Sequence, residues 1–258
     1  MRGFKTIKKQ PTQPQSQPQY EVADVLNKLG SKLEDLGLNS WQLRTLFALK
    51  KCRTSALGGH IDACDECGNI SISYNSCRNR HCPKCQGRNR EDWIQTRETE
   101  LLPVPYFHVV FTLPEVLNKT ALHEPKMLYD ILFESAWETL QTFGKNKNLQ
   151  MGMIAVLHTW GQNLSLHPHL HCIVPGGGVD ENGAWKNIKN DGKFLFSVKA
   201  LSKVFRAKFC EKLKANLKDK FNENQENEYE KIRQSLWEKP WVVFAKKPFG
   251  SPKSVVEY

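Results

Sequence analysis

No window of this chain approaches the ~18 consecutive apolar residues of a membrane helix, which excludes a helical span. The N-terminus is basic, but no apolar h-region follows it, so the sequence reads as lacking a secretory signal. Negative charge is in short supply. There are 27 Asp plus Glu against 37 Lys plus Arg, a formal +10. Such a surplus suits a polyanionic partner, because neutralising phosphates releases counterions. A spread of cysteines fit for a disulfide framework is also missing. Six of the eight cysteines fall between Cys52 and Cys85, at metal-ligand spacings, which points to a reducing, cytoplasmic setting. Internal repeats are absent.

What is present divides into three parts. Residues 1–20 are rich in Lys, Gln, Pro and Ser and cannot bury apolar surface, so they read as a disordered tail. Residues 21–100 read as a helical and zinc-binding domain. Helical spacing runs through Val22, Val25, Leu26, Leu29 and Leu33, then Leu43, Leu46, Phe47 and Leu49, ahead of the cysteines. Pro103 and Pro105 mark a boundary, and residues 104–258 form the second domain. Its elements read as a buried strand at 106–112, a helix over 124–144 and a strand from Met151 to Trp160. A turn at Gly161-Gln162-Asn163 leads to a strand at 167–174, ended by Pro175-Gly176-Gly177-Gly178. A helix with Leu201, Phe205, Phe209, Leu213 and Leu217 on one stripe and a strand at 241–244 complete it. The order β-α-β-β-α-β predicts an α+β chain whose second domain is a ferredoxin-like antiparallel sheet.

Cys64-x2-Cys67, fourteen residues, then Cys82-x2-Cys85 is close to zinc-ribbon spacing, and two such knuckles close a tetrahedral four-thiolate site. Its closure would stabilise a segment with few apolar residues. Cys52, His60, Cys77 and His81 remain as a second set, interleaved with the first and able to hold a second zinc beside it. Arg78, Arg80, Lys84 and Arg88 gather positive charge on this module, which makes it a DNA-docking surface. A closed thiolate site leaves no open position for catalysis.

Within the third predicted strand stands His167-Pro168-His169-Leu170-His171. Residues two apart on a strand share a face, so His169 and His171 project side by side as chelating imidazoles would. His167 joins them if the strand starts early enough. His108 and His158 read as core or sheet histidines, Trp137 and Trp160 as core aromatics, and Cys172 and Cys210 as buried thiols. The lysines of the 198–220 helix read partly as a solvated face and partly as DNA-backbone contacts.

Four segments occur in one order: Ala56-Leu57-Gly58-Gly59-His60; Ser76-Cys77-Arg78-Asn79-Arg80-His81-Cys82-Pro83-Lys84-Cys85-Gln86; His158-Thr159-Trp160-Gly161; and His167-Pro168-His169-Leu170-His171-Cys172. Together they resemble the rolling-circle insertion-sequence transposases of the two-tyrosine, His-hydrophobe-His class (insertion-sequence-91 type), over roughly residues 21–258. The resemblance implies an N-terminal zinc domain, a His-hydrophobe-His nicking domain, and single-strand DNA cleavage and joining without hydrolysis. It also implies two nucleophilic tyrosines four residues apart on a helix, after a Pro-Phe-Gly-type segment. Here Lys247-Pro248-Phe249-Gly250 is followed by Tyr258 at the first of those positions. The second lies past the last residue given, which reads as a C-terminally truncated nicking domain.

The implied chemistry is attack by Tyr258 on a phosphodiester at single-stranded element ends, leaving a 5′-phosphotyrosyl link. His169 and His171 would hold Mg²⁺ or Mn²⁺ on the scissile phosphate, with Gln162 or His167 as the third ligand. No small-molecule substrate is needed. Two alternatives stand beside this: a DNA-binding remnant without catalysis, and a zinc-ribbon RNA-binding protein, for which the aromatic-rich strand signature is not evident.

Overall fold

The structure, a computed structural model, describes residues 19–65, 67–188, 195–217 and 223–246. The expected tail, up to residue 18, and Tyr258 lie outside the described residues. Among the described residues no helix is long and apolar enough to cross a membrane. The chain divides between Gln95 and Thr96 into two compact units.

The first unit holds α1 (Val22–Leu29), a 3₁₀ segment (Gly30–Leu36), α2 (Ser40–Lys51), a hairpin of β1 (Gly59–Ala63) and β2 (Ile70–Tyr74), and the start of α3 (Pro83–Glu100). Helix α2 begins where Asn39 can cap it. The Asn39 side chain accepts from the Gln42 N–H at 2.9 Å, and the Gln42 side chain accepts from the Asn39 N–H at 3.0 Å. The core is thin: Leu26, Leu33 and Leu49 pack with Cys52 and Cys82. A unit with so few buried side chains gains much from a metal clamp. The hairpin is amphipathic. Ile61 pairs with Ile72 and Ala63 with Ile70 on one face, while His60–Ser73 and Asp62–Ser71 line the other.

The second unit is a four-stranded antiparallel sheet in the order β5-β6-β3-β9, made of β3 (Tyr106–Thr112), β5 (Ile154–Trp160), β6 (Leu166–Pro175) and β9 (Val243–Lys246). Helices α4 (Asn118–His123) and α5 (Pro125–Lys145) connect β3 towards β5. Helices α6 (Val198–Leu217) and α7 (Glu223–Glu238) precede β9. This is the expected β-α-β-β-α-β arrangement of an α+β fold.

The strand period sorts the side chains. Val109 and Phe111 of β3 and Leu170, Cys172 and Val174 of β6 are buried with the helices, so their alternates point away from them. Phe205 of α6 anchors that core, with ring centroids 4.9 Å from Phe111 and 5.4 Å from Trp241. The Ser202 hydroxyl donates to the Trp241 carbonyl at 2.7 Å, tying α6 to the entry of β9.

Two expectations need correction. The strand expected from Met151 to Trp160 is two strands, β4 (Gln150–Met151) and β5, divided at Gly152-Met153. The glycines expected to end the histidine strand instead continue it into a second sheet, β4-β7-β8, with β7 at Gly177–Val179 and β8 at Trp185–Asn187. The reason is close approach. A Cβ on Gly177 would stand 2.3 Å from the Lys186 carbonyl oxygen, and one on Gly178 would stand 2.5 Å from that of Gln150.

Phe205 is fully buried, so Phe205→Ala is expected to lower unfolding free energy by about 3–5 kcal/mol. Urea denaturation followed by circular dichroism measures this, and a change below ~1 kcal/mol would contradict the packing described.

Candidate metal centres

The first centre is a cluster of four thiols from three places in the first unit. Cys52 follows α2, Cys77 follows β2, Cys82 immediately precedes α3, and Cys85 lies in its first turn. The Sγ atoms of Cys52 and Cys85 are 3.5 Å apart, those of Cys77 and Cys85 3.6 Å, and those of Cys52 and Cys82 3.5 Å. Thiolates at ~2.3 Å from a tetrahedral zinc stand roughly 3.8 Å from one another, so the cluster fits that ion with little movement. Backbone N–H groups of Cys77 and Asn79 point at the Cys52 and Cys77 sulfurs, at 3.5 and 3.4 Å. Burial raises the Cys52 thiol and pushes Cys77 up to about 12. Burial also works on Cys85, but hydrogen bonds from the other three thiols and from the Arg78 N–H outweigh it and bring that thiol down to about 7. Cys85 thus becomes a thiolate before Cys52 or Cys77.

The fold therefore gathers half of each sequence-derived set. Cys82 and Cys85 are joined by Cys52 and Cys77, and not by Cys64 and Cys67. The physical cause is the hairpin. Its base is tied near Cys52, where the Arg53 N–H donates to the Asn75 carbonyl at 3.1 Å. Its five-residue strands carry Cys64 and Cys67 about 16 Å away, at 3.3 Å per residue. Both stand exposed at the tip. His60 is exposed beside Asp62, at 3.6 Å, and His81 is exposed with Arg80 donating to its Nε2 at 3.3 Å. Neither imidazole belongs to the cluster of four sulfurs. Of the basic residues, Arg78 and Arg80 are exposed, Lys84 is ion-paired with Glu21, and the side chain of Arg88 lies outside the described residues.

The second centre lies on the helix-free face of the four-stranded sheet. His169 and His171 of β6 meet His158 of β5, with one ring nitrogen of each within 4.8 Å of the others. His158 is directly opposite His169 in the β5–β6 register. Ring centroids are 4.4 Å apart for His158–His171, 4.9 Å for His169–His171 and 5.4 Å for His158–His169. Two further groups orient these rings. The His169 Nδ1 is 2.6 Å from the His167 carbonyl oxygen, which can only accept. Nδ1 of His169 therefore carries the proton, and Nε2 keeps its lone pair for a cation. The His171 Nδ1 is 2.7 Å from Nε2 of buried His108, with the ring planes 13° apart. Burial lowers His108, His158 and His171, and in each a neighbouring imidazole lowers it further; His171 falls to about 4. At that value the His171 ring is uncharged at neutral pH, as a metal-ligating imidazole must be.

Three expectations about this centre change. His158, expected as a sheet histidine, is the third imidazole, and His108, expected likewise, is hydrogen-bonded to a member of the cluster. His167 is exposed, and its carbonyl rather than its ring orients His169. Gln162 is exposed in the turn. The available signal was the short turn at 161–165, which closes β5 onto β6 and so sets His158 opposite His169. Pro168 and His167 together face Thr159, a bulge suited to a proline inside a sheet. On α6, Lys208 and Lys212 are committed to Glu138, and Arg206 lies over the Trp237 ring; Lys199, Lys203 and Lys214 are exposed.

Two measurements check these centres. Cys77→Ser is expected to reduce zinc, measured by plasma emission spectroscopy, below one equivalent, whereas Cys64→Ser is expected to leave it unchanged. The depressed imidazoles carry the second prediction. Between their ordinary value of about 6.5 and a folded value of about 4 for His171, the unfolded chain binds more protons than the folded one. Stability is then expected to fall as pH drops through that window, and His171→Gln is expected to flatten the melting-temperature profile there.

Residues 24–113 match the family model described as "Transposase zinc-binding domain", and residues 152–258 match one described as "Putative transposase". The "Putative transposase y4qJ" of Sinorhizobium fredii is 42% identical over 251 residues, 92% of this chain and 63% of that protein. The "Transposase for insertion sequence element IS801" of Pseudomonas savastanoi pv. phaseolicola is 35% identical over 158 residues, 60% of this chain and 38% of that protein. The chain thus spans less than two thirds of these curated relatives. Among solved structures, conjugative relaxase TrwC in complex with a mutant OriT DNA aligns over 75% of this chain and 65% of its own, at 12% identity and a TM-score of 0.34. The metal-free TrwC–OriT complex aligns over 41% and 43%, at 14% identity and a TM-score of 0.33. With a zinc-binding transposase domain followed by a second transposase domain, and 42% identity to a transposase relative over 92% of this chain, the chain belongs to the insertion-sequence-91 family of transposases.

Proposed function

We propose that the second unit nicks and rejoins single-stranded DNA at the ends of its own mobile element, using the imidazole cluster and Tyr258. The observation that carries this reading is the convergence of His158, His169 and His171 on an open sheet face, with two of the rings oriented through Nδ1. Three converging imidazoles could hold a divalent cation such as Mn²⁺ or Mg²⁺, whose preference for oxygen would be met by phosphate oxygens at its remaining positions. When bound, that cation would neutralise charge building on the scissile phosphate.

The protein's own part is nucleophilic. The Tyr258 phenol oxygen forms a bond to phosphorus as the bond from phosphorus to the 3′-oxygen breaks. The phenol gives up its proton, the departing 3′-oxygen takes one up, and a 5′-phosphotyrosyl link remains. Attack by a 3′-hydroxyl on that link reverses the step and rejoins a strand. No energy-supplying cofactor is consumed. The first unit, braced by zinc at Cys52, Cys77, Cys82 and Cys85, offers Arg78 and Arg80 to the DNA backbone. Lys199, Lys203 and Lys214 add exposed positive charge on α6.

A labelled single-stranded oligonucleotide carrying an element end, incubated with the protein and Mn²⁺, is expected to give a covalent adduct resistant to denaturing gel electrophoresis. Tyr258→Phe should abolish the adduct and leave strand binding intact. His169→Ala and His171→Ala should each lower its rate by at least 10²-fold, on the scale of losing transition-state charge stabilisation. An adduct that persists in Tyr258→Phe, or full activity in both histidine variants, would overturn the proposal.

A further inference from the structure

Trp160 ends β5, two residues beyond His158, and is expected from sequence to be a core aromatic. It is instead 54% exposed. Its indole runs parallel to the His158 imidazole, with 7° between the planes and 5.5 Å between centroids. Residues 158 and 160 share the helix-free face of β5, and the β5–β6 register shifts between them, opposite His167-Pro168 of β6. The turn that follows is held short. The Gly161 N–H donates to the Ser165 carbonyl at 2.9 Å, and the Ser165 N–H and hydroxyl both donate to the Asn163 side chain, at 3.1 and 2.6 Å. Leu164, in the same turn, has a φ of 63° and is 81% exposed. A large flat ring is thereby fixed at the edge of the imidazole cluster.

We propose that Trp160 is a stacking platform for the nucleobase beside the scissile phosphate. The proposal rests on the nicking function proposed for the imidazole cluster and adds the positioning residue for its substrate. The occupant follows from chemistry. A strand whose phosphate is held at the imidazoles must put the adjoining bases within reach of the next side chain along β5. An indole aligned with His158 offers that base a π-face in the same orientation. Every base has such a face, so this contact fixes the strand without choosing its sequence. The chain's surplus of positive charge draws in the same ligand. One face of the indole lies against the imidazole, which restricts rotation of the ring and lowers the entropy lost when a base stacks on the other face.

The test is fluorescence anisotropy with a labelled single-stranded oligonucleotide at fixed salt, without added divalent cation, so that the strand is bound but not cut. Trp160→Ala is expected to weaken binding by about five- to 150-fold, the range of one lost base–aromatic stack. Trp160→Leu, which keeps apolar bulk without a π-face, should lose nearly as much, and Trp160→Phe should recover most of the affinity. The dependence on salt should keep its slope, since no phosphate contact is lost. Trp137→Ala, on α5, should bind as the parent does. An oligonucleotide with one abasic position should weaken the parent by a similar factor and leave Trp160→Ala unaffected at that position only. Equal binding by the parent, Trp160→Ala and Trp160→Leu would overturn the stacking role while leaving the nicking reading intact. So would abasic losses that are the same in parent and variant at every position. No binding of single strands by the parent would overturn both.

Discussion

A strand in a two-layer fold can give only alternate residues to its helices, and the second unit depends on how β6 uses that constraint. Pro168, Leu170, Cys172 and Val174 are buried, while His169 and His171 face the other way. The apolar set fixes the register, because slipping by one residue would bury imidazoles and expose the core. The same packing that holds the sheet against α5 and α6 therefore holds two chelating rings at a fixed spacing. His158 and His108 then enter from the neighbouring strands at positions set by hydrogen-bonded pairing rather than by their own side chains.

The first unit solves a different problem. Its apolar core is small, and two of its buried members, Cys52 and Cys82, are also sulfurs of the cluster. Core and metal site are one object there, whereas in the second unit the core lies on one side of the sheet and the imidazoles on the other. The first arrangement suits a structural ion, closed on all sides by thiolates. The second leaves room for a ligand's oxygen atoms.

Much of this was legible in the sequence because it is local. The period of two in His169-Leu170-His171, the buried run at 106–112 and the helix stripes of α5 and α6 each report their element directly. The element order was enough to reach the sheet. The errors share one cause, which is that ligands come together through pairing that sequence spacing does not encode. Cys64-x2-Cys67 has the look of a zinc knuckle, yet β1 and β2 carry it away from Cys82 and Cys85. His158 has apolar neighbours and looks structural until β5 folds back on β6. The three glycines after Pro175 look like a stop, yet Gly177 and Gly178 lie in β7, where the neighbouring strands come too close for a side chain. Trp160 looks like core by composition, yet it stands two residues from His158 on the same helix-free face of β5, with its indole parallel to that imidazole.

The hairpin of β5 and β6 separates two kinds of cost. Ten residues part His158 from His169, so bringing those rings together closes a short loop. His108 and His171 are separated by 63 positions, and by loop-length scaling their meeting costs about 1.6 kcal/mol more in chain entropy. The three candidate ligands are thus brought together by local folding, while the His108 ring that meets His171 Nδ1 arrives only with the long-range pairing of β3. The hydrogen bond at His171 Nδ1 therefore reports on the docking of β3, whereas the meeting of His158 with His169 reports only on the β5–β6 turn.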